Sequence, residues 1–270
     1  MTNTSQSRLH LVWRVIIVMA AASLVWIANG LLFSVEEYSR LWHFLSAGFV
    51  LLLVVPIVVI ARRYLDRRLW EGLRLTSLAK GWKALIVGAL CYLLPAFAGL
   101  LIFILMGWIQ VSIQMAAGDW LIAVLTVTAL VFIYEALPEE LLFRGYLYRN
   151  LNSVLPHWQA VIGQAFLFLL FAWIIGAAPS WNRIVFFFGF GIVVGIIRVV
   201  TDNVWSAIGF HLAFQTMQQF FSNRGGYEIS SSNSALMEMV ILGAIPFTFA
   251  ILTLNILVRK QPDWKAVNPE

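Results

Sequence analysis

Residues 120–150 read WLIAVLTVTALVFIYEALPEELLFRGYLYRN. As one helix of about 31 residues this run would measure about 46 Å at a rise of ~1.5 Å per residue. That exceeds a hydrocarbon core of about 30 Å. Glu135, Glu139, Glu140 and Arg144 sit in its middle. Pro138 removes a helix donor and predicts a kink there. Glu139 and Glu140 would then open the second half of the helix, near free amides and a positive helix end, both of which favour carboxylate charge. Arg144 follows Glu140 by four residues and lies on the same face, so an ion pair is geometrically natural. Adjacent residues point about 100° apart. Glu139 and Glu140 therefore cannot both face one small cavity squarely, and one can act on a substrate while the other holds the scaffold. The plain alternative is a structural ion pair pinning a kinked helix. Three carboxylates against one nearby base at membrane depth argue instead for a wet cavity, a proton path or catalysis.

The rest of the 270 residues has the same character, being 61% hydrophobic and 11% charged, with a mean hydropathy of +0.86. A soluble domain has about 25% charged residues. The 20 Phe and 12 Trp exceed what one water-soluble core of this length could bury. These values exclude a soluble enzyme, a disordered chain and a disulfide scaffold, and Cys91 as the only cysteine excludes an intramolecular disulfide or a cysteine-based zinc site. Apolar runs of spanning length fall at about eight places, near 13–34, 41–61, 84–108, 120–150, 157–178, 183–200, 203–222 and 235–258. The expectation is an all-α, polytopic membrane bundle of about eight helices, the first being a retained helix and not a signal peptide. Ser222 to Asn233, with Gly225, Gly226 and a serine run, reads as a loop.

Between the second and third runs lies ARRYLDRRLWEGLRLTSLAKGWK, with Arg62, Arg63, Arg67, Arg68, Arg74, Lys80 and Lys83. The positive-inside rule makes this loop cytoplasmic. Threading eight spans from it puts both termini inside, in a cell-membrane protein. Of the 18 basic residues, including Arg259 and Lys260 after the last span, only Arg40, Arg183 and Arg224 then fall outside. The net charge of +5 is thus explained by topology, and no nucleic-acid partner is expected.

His211 lies in VWSAIGFHLAFQTM, with Gln215 one turn later on the same face. Counted from the inner end, His211 is about 12 Å deep and Glu140 about 15 Å, so they can share a depth. A membrane His with a nearby amide also serves as an interhelical hydrogen-bond partner. His43 and His157, at the starts of their runs, read as interfacial, as does His10.

PEELLFRG, then FLFLLFAWIIG, then FFFGFGIVVGIIRVVTDNVWSAIGFHLAFQ together resemble the CAAX-protease and bacteriocin-processing (CPBP, or ABI) family. That family includes type II CAAX prenyl endopeptidases and lysostaphin-resistance-protein-A-like proteins. The resemblance covers roughly Leu121 to Phe221. The family's EExxxR motif falls on Glu139, Glu140 and Arg144 and is intact. Its FxxxH motif falls on Phe171, but Ile175 stands at the histidine position. Its histidine followed four residues later by asparagine falls on His211, with Gln215 in place of asparagine. The resemblance implies an intramembrane endopeptidase in which a glutamate activates water and the histidine and amide stabilise an oxyanion. In this chain Glu139 or Glu140 would be the base, His211 and Gln215 the donors, and Arg144, Phe171 and Ile175 supporting residues. Folding the chain back from a turn near Val154 brings Ile175 level with Ile133 to Glu135, where Glu135 can supply a polar group.

Three readings compete. The first is an endopeptidase cleaving a membrane-associated peptide or protein, weakened by Ile175. The second is a non-catalytic relative that binds a membrane peptide or partner. The third is a small transporter, against which the lack of an internal inverted repeat counts. The expected partners are that substrate and membrane lipid. No cofactor is expected, and no metal, because a catalytic zinc takes three protein ligands and the cavity supplies one imidazole. The organisation expected is N-terminal helices over 1–119, a protease-like core over 120–222, and a loop, last helix and cytoplasmic tail over 223–270.

Overall fold

The apolar runs fold as eight long helices in a computed structural model that describes residues 9–33, 40–114, 116–221, 229–259 and 261–269. They are α1 (Leu11–Leu32), α2 (Arg40–Ile60), α3 (Leu78–Leu105), α4 (residues 117–152), α5 (His157–Ile174), α6 (Trp181–Thr201), α7 (Val204–Phe221) and α8 (residues 236–257). Seven are long and apolar enough to cross a membrane. The remaining one, α7, is as long as α5 but carries His211, Gln215, Gln218 and Gln219. A helix with such a polar stripe is kept from lipid by its neighbours, and residues 204–211 of α7 are all buried. The chain is therefore an all-α polytopic bundle. Its one departure among the described residues is a short antiparallel ladder between β1 (Val111–Ile113) and β2 (Ile229–Ser231). Residues 222–228 of the Ser222–Asn233 insert lie outside the described residues, as does Lys260.

Close backbone approach holds the bundle together where hydrophobicity cannot, since lipid is as apolar as a side chain. α3 packs most extensively on α7. A Cβ on Gly88 would strike the backbone of Ser206, and one on Gly209 the backbone of Leu85. On the other side, a Cβ on Gly191 of α6 would come within 2.7 Å of the Ala165 side chain in α5. Aromatic rings fill the remaining interior, with Phe186, Phe190, Phe210, Phe214 and Phe247 in mutual edge or tilted contact.

The helix α4 does not break at Pro138. It continues through a π turn (Phe132–Ala136), an α turn (Leu137–Glu140), a second π segment (Leu141–Leu147) and a final α turn (Tyr148–Asn152). Proline has no N–H for the preceding turn, and the helix answers by widening, with Leu137 N–H reaching back to the Phe132 carbonyl. This corrects the expectation of free amides at Glu139 and Glu140, because the residue before the α turn, Ala136, is itself helical.

The deep half of α4 is anchored by a group that its sequence position does not announce. Asp66, in the Arg-rich loop, is fully buried. It accepts hydrogen bonds from Arg14 (3.0 Å), Arg62 (3.2 Å), Tyr146 (2.9 Å) and Asn150 (3.0 Å). Four partners on one carboxylate join α1, the end of α2 and α4 at the end of the bundle bearing the basic loop. The C-terminal segment returns to the same end, where Asn268 N–H bonds the Asn152 carbonyl and His157 N–H bonds that of Ala266.

Candidate active site

A cavity of about 980 Å³ opens among α1, α2, α4, α5, α6, α7 and α8. Its walls are largely aromatic, and its polar side chains converge at the π turn of α4. Glu135 and Glu139 both face it, four residues apart on one side of the helix. His211 and Gln215 of α7 face it from across the bundle, and Phe171 and Ile175 from the end of α5.

Glu140 points elsewhere. It and Arg144 are fully buried behind the wall. Glu140 Oε1 accepts from Arg144 Nη1 at 2.9 Å and from His211 Nδ1 at 2.8 Å. The Arg144 guanidinium lies over Phe168 and Phe190, 4.8 and 5.4 Å from the ring centroids. Phe190 also sets its edge against the His211 ring at 4.9 Å. An oxygen accepting from an arginine and an imidazole together fixes the ring, with its Nδ1 proton toward Glu140. The Nε2 atom is the nitrogen left for the cavity. The two adjacent glutamates thus diverge as helical geometry requires, Glu139 onto the wall and Glu140 into the scaffold.

On the same wall Gln215 and Glu135 both line the cavity, and Glu135 Oε2 is buried without a protein partner. Ile175 lies just past the last residue of α5, its N–H bonded to the Phe171 carbonyl at 3.0 Å. Phe171 is held edge-on by Trp26 and Phe143 at 5.1 and 5.3 Å. Trp173, 64% exposed, points out of the cavity. Ile175 therefore leaves an apolar patch on the wall shared by both carboxylates, and Glu135 is on that wall, as the folded-back hairpin suggests.

The structure adds residues that the sequence reading passes over. His43 of α2, read as interfacial, lines the cavity beside Tyr134, their rings in edge contact at 5.8 Å. The Tyr134 hydroxyl accepts from Asn29 at 3.1 Å, and Ser46 donates to the same amide at 2.9 Å. None of these belongs to a motif, and only the packing of α2 against the π turn reveals them. His157 lies well away from the cavity, bonded to the Tyr148 hydroxyl where α5 begins. Among the described residues no cluster of three His, Cys, Asp or Glu is arranged to hold a metal ion.

Residues 119–217 match the family model described as type II CAAX prenyl endopeptidase Rce1-like. No curated protein and no solved structure matches the chain. The matched stretch begins in the first turn of α4, includes EELLFRG, of which Glu139 lines the cavity, and ends past His211 and Gln215. Through residues 119–217, a little over a third of the chain, this multi-pass membrane protein is similar to the CPBP, or CAAX-protease, family.

Proposed function

We propose that this protein is an intramembrane endopeptidase in which Glu139 activates the attacking water. The observation that supports this most is the division of labour between neighbouring carboxylates. Glu139 faces the cavity, while Glu140, buried with Arg144, orients His211 through Nδ1. A general base needs hydrogen-bond reach to its water, and the cavity gives Glu139 that access. In the reaction Glu139 takes a proton from water as the oxygen bonds the scissile carbonyl carbon. The carbonyl oxygen becomes an oxyanion. The imidazolium form of His211 donates to it from Nε2, the nitrogen that Glu140 leaves free. Glu139 then returns the proton to the leaving amine as the C–N bond breaks. Gln215, one turn from His211 and lining the same cavity, is a second donor. Arg144 holds Glu140 in place through their buried contact.

Ile175 makes the wild type slow. It supplies no polar atom to orient the water beside Glu139, and such assistance is worth about 10²–10⁴-fold. The same residue supports a second reading, a member that keeps the cavity to bind a membrane peptide without cutting it. The deciding experiment is single-turnover cleavage of a membrane-embedded reporter peptide by purified protein, beside Glu139→Gln and His211→Ala. Cleavage lost in both variants is the expected result. Cleavage that survives Glu139→Gln rules out the glutamate mechanism, and peptide binding without cleavage by wild type or Ile175→His establishes the binding reading.

A further inference from the structure

The two ends of the cavity differ, and the difference bears on the substrate. Its outermost lining comes from Trp42 at the start of α2, Ala177 in the turn after α5, Asn182 in the first turn of α6, Gln219 in the last turn of α7, and Glu238 near the start of α8. All these helix ends lie at one end of the bundle. No lining residue comes from residues 61–83, from the turn at 153–156, from 202–203 or from the C-terminal segment. At that second end this cavity is plugged, and a separate pocket of about 810 Å³ beside Arg74, Tyr148 and Arg198 shares none of its lining. Leu142, Phe143, Tyr146 and Leu147 are fully buried there. Asp66 with its arginine, tyrosine and asparagine partners fills the space below them.

The plugged end is the basic one. Seven Lys/Arg residues fall between Arg62 and Lys83, with Arg149, Arg259 and Lys265 at the same end. The described basic residues of the open end are Arg40 and Arg183. Loops so enriched in Lys and Arg stay in the cytoplasm. We infer that the cavity opens on the extracytoplasmic face, and that the substrate is a membrane-anchored peptide whose cleavage segment leaves the bilayer on that face, not a cytosolic chain end. This rests on reading Glu139 and His211 as the site of cleavage. The aromatic walls formed by Phe168, Phe186, Phe190, Phe214 and Phe247 suit apolar residues beside the scissile bond, entering as an extended strand.

The test uses the fact that Cys91 is the only cysteine and is fully buried, so the wild type serves as the unreactive blank. Asn182→Cys and Phe186→Cys probe the mouth and the wall, and Leu69→Cys, at a site 78% exposed, probes the basic loop. Each full-length protein in the membrane of spheroplasts is treated with a membrane-impermeant maleimide before and after permeabilisation. The inference expects Asn182→Cys and Phe186→Cys to be labelled before permeabilisation and Leu69→Cys only afterwards. Trp181→Cys, at a site 74% exposed, repeats the mouth reading if Asn182→Cys does not accumulate. Labelling of the mouth cysteines only after permeabilisation, or no labelling of the wall cysteine from outside, overturns the inference. Labelling is read without cleavage, so an enzyme that cuts nothing leaves this result standing and refutes only the proposed activity.

Discussion

Glu139→Ala and Glu140→Ala are chemically identical changes at adjacent positions, and the structure assigns them opposite signatures. Glu140 is fully buried, and its Oε1 holds both Arg144 and His211. Removing it leaves a buried guanidinium whose Nε and Nη2 already lack protein partners. Breaking a buried pair from one side costs about 3–5 kcal/mol. The Phe168 and Phe190 faces are unchanged and retain a cation–π attraction of ~0.5–2 kcal/mol, so the loss falls toward the lower end, about 3 kcal/mol. At about 2–4 °C per kcal/mol, Tm should fall on the order of 10 °C. Arg144→Ala should behave alike, and the double variant should lose far less than the sum, because the second change removes the orphaned charge. Glu139 lies on the cavity wall, so its removal relieves a carboxylate of partial burial and should leave Tm nearly unchanged while abolishing cleavage. The assay is thermal unfolding in one detergent for all four variants and wild type, with cleavage measured in parallel. Equal Tm losses for Glu139→Ala and Glu140→Ala, or additive losses for Glu140→Ala and Arg144→Ala, would refute the assignment of Glu140 to the scaffold.

Ile175→His should raise single-turnover cleavage, by up to about 10²-fold where its ring shares a water with Glu139, since Trp173 points away and leaves the space open; Glu139→Gln in that background should remove the gain. Asp66→Ala should destabilise by about 3–5 kcal/mol, because it strands Arg14 and Arg62 in a buried site, read as Tm and as loss of folded protein on size exclusion. Gly209→Val should prevent stable accumulation, since its side chain would enter the Leu85 backbone and part α3 from α7, whereas Gly189→Ala, with open space at its Cβ, should accumulate like wild type.

What the sequence discloses and what it withholds divide along a physical line. A bilayer demands apolar length, so every long helix is legible as an apolar run, and the ends of α2, α5 and α8 fall within a few residues of where composition places them. The EExxxR spacing is legible because an α turn brings i and i+4 together, and Glu140 and Arg144 do meet. Legibility fails where the answer depends on a partner far along the chain. Asp66 looks like a loop acid until Arg14, 52 residues earlier, and Tyr146, 80 residues later, close on it. His43 looks interfacial until α2 packs beside Tyr134. Pro138 looks like a kink that frees the next amides because proline's missing donor is local information, whereas the π turn that absorbs it depends on neighbours holding the helix together on both sides. The choice between Glu139 and Glu140 has the same origin. Helical geometry requires that they diverge, but only the position of α7 decides which of them meets His211 Nδ1 and which is left facing the cavity. A motif therefore identifies the pair, and the fold assigns the roles. Exchanging the two side chains' environments, and not their identities, is what would move the base from one glutamate to the other.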